Sequence, residues 1–169
     1  MTDTLKTYAS VPLRLMAAVG FLYHGLPKFT PEGHQMFVGM LEGIRVPAPE
    51  LASWLVGVVE VAGGLLLLMG YRVRLVVLPL IADMLVAMFT VHWPNGFNVI
   101  NMTGMGPAGP TFGMPGIELS LLYLSILSAL WLTGAGRFSL DARREQPGMF
   151  PHEPALGASA EARRPPSGK

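Results

Sequence analysis

Four apolar stretches, each about as long as a bilayer is thick, carry ionisable side chains. A membrane helix needs about 17 to 25 predominantly apolar residues, and the stretches run over about 10–29, 51–69, 75–92 and 117–133. Within them or at their ends stand Arg14, His24, Lys28, Glu60, Asp83, His92 and Glu118. A charge facing lipid is expensive, so such residues are expected to face a bundle interior and find partners there. The expected fold is all-α: a polytopic membrane four-helix bundle over residues 1–141 with a polar interior seam.

Composition fits that class. The chain is 51% hydrophobic and 14% charged, against roughly 25% charged in an average soluble domain. It contains no Cys, which excludes disulfides, thiolate metal sites and thiol catalysis. No basic run lies on a folded segment, so nucleic acid is not an expected partner. The opening MTDTLK lacks the features of a cleaved signal, and the first apolar segment is expected to stay as a helix. Between the first two spans, Met36, Phe37, Met40, Leu41 and Ile44 recur at helical spacing, predicting an interfacial helix over about 33–44. The third loop, 94–116, is uncharged and rich in Gly and Pro, and irregular backbone is expected there. Residues 142–169 have the composition of a disordered tail.

Lys and Arg in short loops set orientation. Lys6, Arg72, Arg74, Arg137, Arg143 and Arg144 fall on one side, Lys28 and Arg45 on the other. The expectation is a multi-pass protein of the inner (plasma) membrane with both termini, and hence the tail, cytoplasmic. Glu60 and Asp83 then lie near the midplane, with His24, Lys28, His92 and Glu118 toward the outer ends.

Helical phase links these residues. Arg14, Ala17, Phe21, His24 and Lys28 form one stripe by spacing, and Ser53, Gly57, Glu60 and Gly64 a second. The third segment offers Pro79, Asp83, Val86 or Ala87, and Thr90; the fourth offers Glu118, Ser125 and Ser128. The readings of single residues stay open. His24 and Lys28 suit a proton relay or cationic patch, or Lys28 bonds Glu118 or loop carbonyls structurally. Glu60 and Asp83 carry protons, or one of them pairs with Arg14 to pin register. His92 is an acid/base partner of His24 or a helix C-cap. Bis-histidine haem at His24 and His92 is disfavoured, since no second pair exists. Copper at Met36, Met40, Met102, Met105 and Met114 is also disfavoured, since Met is a common gap-filler. No metal site is assigned.

The stretches RLMAAVGFLYHGLPKF (14–29), LVGVVEVAGGLLLLMGYRVRL (55–75), FTVHWPNGF (89–97), GIELSLLYL (116–124) and GAGRFSLD (134–141) resemble the DoxX/DoxD family of small four-helix membrane proteins. The resemblance covers roughly residues 10–141. It implies a membrane protein related to the quinone-reducing thiosulfate oxidoreductase subunit and to DoxX proteins linked to redox homeostasis.

The combined expectation is an outward-facing quinone or small-oxyanion pocket, roofed by loops one and three and lined by His24, Lys28, His92, Asn95 and Glu118. His24, Lys28, His92 and Glu118 would act chemically, while Asn95, Glu60, Asp83 and Arg14 would help to hold the ligand. The protein would be a quinone-linked oxidoreductase subunit without thiol chemistry, taking electrons from a soluble or membrane partner. The rival class is a non-enzymatic carrier or scaffold that anchors soluble partners.

Overall fold

The computed structural model describes the backbone of residues 2–145 and the side chains of residues 8–144. The chain is mostly helical. Helix α1 (Thr2–Gly25) stops where Pro27 denies the next backbone donor, and Leu26–Phe29 tighten into a 3₁₀ turn. The first apolar segment is therefore not one helix to residue 29. The Thr30 hydroxyl accepts from the Gly33 N–H at 3.1 Å and caps α2 (Pro31–Gly43). Helix α3 (Pro49–Met69) ends at Gly70, whose φ of 65° suits glycine. Helix α4 (Val73–Ala87) runs into a π-helical turn (Met88–His92) and a 3₁₀ turn (Trp93–Asn95).

The third loop departs from the irregular backbone expected of it. Met102–Gly106 (β1) and Gly109–Phe112 (β2) pair as an antiparallel hairpin. Its glycines and prolines serve the turn and a bulge. Helices α5 (Glu118–Thr133) and α6 (Leu140–Glu145) follow. Residues 142–145 are helical, a correction to the disordered reading of the tail; 146–169, the rest of that reading, lie outside the described residues.

Helix α1 packs on α3, α3 on α4, α4 on α5 and α5 back on α1, while α2 lies against α3. Ala17, Ala18, Phe21, Leu67, Val77, Leu80, Leu127 and Leu130 fill the centre. Two helical stretches, Pro49–Met69 and Val73–Asn95, are long and apolar enough to cross a membrane.

The distribution of polarity is the reverse of that on water-facing helices. On α3 the buried stripe holds Ser53, Gly57, Glu60, Gly63 and Gly64, while Leu51, Leu55, Val58, Leu65 and Leu68 point outward. Helix α1 likewise buries Ser10 and Arg14 and exposes Leu15, Met16 and Val19.

Not every seam has the phase that spacing suggested. On α1, Gly25 is buried and His24 exposed, because a Cβ at Gly25 would stand 2.9 Å from the Cβ of Glu60. On α5 the inward residues are Ser120, Leu127 and Leu130, while Ser125 and Ser128 point out. The Ser125 hydroxyl donates to the Leu121 carbonyl at 2.8 Å, which removes its need for an interior partner. Pro79 and Thr90 also lie outside, and Thr90 donates to the Val86 carbonyl at 2.8 Å.

Candidate functional site

The polar centre is an ion pair between the 3₁₀ turn and α3. Lys28 Nζ lies 2.5 Å from Glu60 Oε2 and donates to the His24 carbonyl at 2.8 Å. It also stands 4.5 Å from the centre of the Phe37 ring on α2, a cation–π contact. Both charged residues are only 8% exposed.

Glycines make the pair possible. A Cβ at Gly57 would meet Lys28 Cβ at 3.3 Å and the Phe29 ring at 3.2 Å. Together with Gly25 it lets α3 approach the end of α1 closely, which is the use of small residues between membrane helices. The 3₁₀ turn then directs Lys28 inward along α3. The depth ladder read from sequence kept Lys28 and Glu60 apart; the turn brings them together.

Asp83 on α4 is partly buried, and Glu60 and Lys28 act on it electrostatically. His24 is acted on similarly by Lys28 and His92. A set of titratable groups thus runs from the surface at His24 into the interior at Asp83. It sets one lysine amine among two carboxyl groups.

His24 and Lys28 also border a surface groove of about 620 Å³ between the end of α1 and α2. Leu22, Tyr23, Leu26, Met36 and Phe37 are its apolar walls, and His24, Lys28 and Thr30 its polar points. No residue of the third loop lines it.

The structure does not gather the expected five residues in one pocket. His92, Asn95 and Glu118 are engaged with the third loop and the end of α4. His92 Nδ1 lies 2.9 Å from the Pro115 carbonyl, and Asn95 Nδ2 donates to the Val91 carbonyl at 2.8 Å. Glu118 does not reach Lys28; its carboxylate accepts the Val99 N–H at 3.0 Å.

Arg14 pairs with neither Glu60 nor Asp83. Its guanidinium donates to the Ala135 and Phe138 carbonyls at 2.7 and 2.9 Å. This lies at the opposite end of the molecule from Lys28, within the segment 134–141.

Three residues were absent from the candidate site read from the sequence. His34 Nδ1 lies 2.9 Å from the Ser53 hydroxyl, and its ring centre is 4.4 Å from that of Trp54, which ties α2 to α3. Phe37 stacks on Lys28. Asp141 accepts the Arg72 and Val73 N–H groups at 2.7 and 3.0 Å, capping α4 from 68 residues away. Only Asp141 had a signal, as the last residue of GAGRFSLD.

The DoxX family profile matches residues 9–93, the stretch that carries Arg14, His24, Lys28, Glu60, Asp83 and His92. The chain belongs to the DoxX family. This DoxX protein is 36% identical over 137 residues to an uncharacterized membrane protein of Mycobacterium tuberculosis (strain ATCC 25618 / H37Rv), a match covering 78% of each chain. No solved structure matches it. As a membrane protein, this DoxX chain contacts the lipid bilayer, which accounts for the outward apolar faces of α1, α3 and α4.

Proposed function

We propose that this DoxX protein is a multi-pass inner-membrane subunit, built as a four-helix bundle, that binds a quinone in the groove between α1 and α2. The groove carries the reading. Its volume falls in the roughly 300–1,000 Å³ range of small-molecule sites, and apolar walls with a few polar points are what such sites present. A quinone is an apolar ring with two carbonyl oxygens. A small oxyanion would need an uncommitted cation, and the Lys28 ammonium is already engaged by Glu60 and the His24 carbonyl.

His24 is the group best placed to meet a quinone oxygen. Glu60 and Asp83 behind it are a proton store of the kind that quinone chemistry draws on. Electrons would come from a partner subunit or a directly bound donor, since a chain without Cys has no thiol chemistry of its own. The test is binding of decylbenzoquinone to the detergent-purified protein with Trp93→Phe and Trp131→Phe, read by quenching of Trp54, which meets Phe29 edge-on next to the groove residues Lys28 and Thr30. Saturable quenching that weakens about tenfold in His24→Leu supports the site, a loss of the size expected when one good polar contact goes. Identical, non-saturating quenching in both proteins removes the quinone and leaves the carrier or scaffold reading.

The four-span arrangement is supported by the outward apolar faces of α1 and α5. Leu119, Leu122, Trp131 and Leu132 are exposed on α5, a helix of 16 residues and hence about 24 Å long. Arginines cluster at one end: Arg72 and Arg144 both stack on Tyr71, at 5.7 and 4.6 Å. Positive-inside placement makes that end cytoplasmic. In intact cells, a membrane-impermeant thiol reagent should label Met105→Cys and leave Arg143→Cys untouched. Labelling of Arg143→Cys reverses the orientation.

A further inference from the structure

We propose that the β1–β2 hairpin is a membrane-surface anchor that lays one face into the outer headgroup layer of the bilayer. The face is created by a β-bulge. Met102 pairs with Phe112, Gly104 with Thr111 and Met105 with Pro110, with the register shifting between Met102 and Gly104. Directly opposed residues of an antiparallel pair point to the same side, and so do residues two apart on one strand. Phe112 and Pro110 therefore share a face, and Met102 and Met105 join them. In a regular strand Met102 and Met105, three residues apart, would point to opposite sides; the unpaired Thr103 brings them to the same one.

The result is an amphipathic hairpin whose apolar side is left largely uncovered by the described residues. Met102, Met105 and Phe112 are 59%, 74% and 61% exposed, and Pro110 is exposed as well. The Thr103 and Thr111 hydroxyls lie 3.3 Å apart, a polar contact that belongs to the other face. The hairpin's base is fixed: Gly113 N–H donates to the Asn101 carbonyl at 2.8 Å and Gly116 N–H to the Asn98 carbonyl at 2.9 Å. Its face is held in a set direction relative to the ends of α4 and α5.

Lipid is the occupant that fits. From Trp93 to Ile117 the chain has no Asp, Glu, Lys, Arg or His, so inserting the hairpin at the interface desolvates no charge. A partner protein would be expected to meet charged groups at the rim, and this stretch has none. Between the hairpin and α4 the chain exposes Phe97, Trp93 and Phe89 as well, and the Phe89 and Trp93 rings lie 5.6 Å apart, so apolar exposure runs along the chain from the helix to the hairpin. An uncharged two-stranded sheet with open edges is otherwise an aggregation hazard in water.

The inference rests on reading the apolar helices, α3 among them, as membrane spans, and the experiment separates the two. In vesicles of the zwitterionic lipid phosphatidylcholine, single cysteines replacing Met105, Thr111 and Val58 carry an environment-sensitive fluorophore. Val58 lies on the outward face of α3. Quenching at Val58→Cys by acyl-brominated lipid reports that the helices are embedded; its absence overturns the span reading itself. With Val58→Cys quenched, the expected result is blue-shifted emission at Met105→Cys, loss of fluorescence to shallow brominated lipid and protection from aqueous iodide. Thr111→Cys should remain iodide-sensitive. Equal iodide quenching at Met105→Cys and Thr111→Cys overturns the proposal. So does protection of Met105→Cys that vanishes when protein is diluted in lipid, since a second copy would then be the occupant.

Discussion

Lys28→Met and Glu60→Leu should each destabilise the protein by about 3–5 kcal/mol, and the double variant should recover most of that loss. Each single change removes the group that the remaining charge bonds directly, and this costs far more than the pair contributes when intact. With both charges gone, the site becomes an apolar contact among Gly25, Gly57 and Phe37, which lipid-embedded helices tolerate. Recovery should be incomplete, because Lys28→Met also frees the His24 carbonyl and the Phe37 ring. Equilibrium unfolding in mixed micelles measures all four proteins. If the single variants keep parental stability, Lys28 and Glu60 are wet and the site has no dry core.

The same four proteins also separate structure from chemistry. A double variant that regains stability but not quinone binding would assign the charges a role at the groove. Regaining both would make the pair a structural fastener and leave His24 as the polar end of the site.

How far this arrangement was legible depended on how strongly each residue reports its own surroundings. Glu60 was legible. One carboxylate between Gly57 and Gly64 has a single energetically acceptable direction in an apolar helix, and the whole stripe is buried. Ser125 and Ser128 were not, because a serine in a helix can use the carbonyl one turn back and so carries no information about the interior. His24 and Gly25 competed for the same place on α1. The glycine occupies it because α3 comes too close there for any side chain, and that proximity depends on a helix 35 residues further on. Lys28 was misplaced in depth by treating the first span as one straight helix past Pro27. Contacts that join distant segments, such as Asp141 to the first turn of α4, leave almost no periodic trace. Neither does the one-residue bulge that turns Met102 and Met105 to the same side.

The second large effect lies at the other end of the molecule. Arg14→Met should cost about 3–5 kcal/mol, from two charge-assisted hydrogen bonds worth roughly 1.5–3 kcal/mol each that do not add fully. Arg14 is 2% exposed, and its guanidinium is the only side chain bonded to the Ala135 and Phe138 carbonyls among the described residues. Those carbonyls belong to a segment that folds back over the ends of α3 and α4. Gly70 leaves no room for error there, because a Cβ on it would strike both Arg14 and Ser139. The clasp also holds Phe138 and Arg72 at positive φ, 56° and 45°, a backbone cost that persists only where the surroundings enforce it. Arg14 bonds Phe138 through the carbonyl, and Asp141 bonds Arg72 through the N–H. Once Arg14 is gone, Phe138 should relax and Asp141 should leave α4, so the damage should spread along residues 134–145 while the Lys28–Glu60 end stays intact. Hydrogen exchange should therefore rise at Arg72, Val73 and Asp141 and remain unchanged at Glu60. Arg14→Lys should rescue only part of the loss, because one ammonium does not span two diverging carbonyls as a planar fork does. Unchanged exchange at Val73 in Arg14→Met would show that Asp141 caps α4 without help from Arg14, and the two halves of the clasp would then be independent.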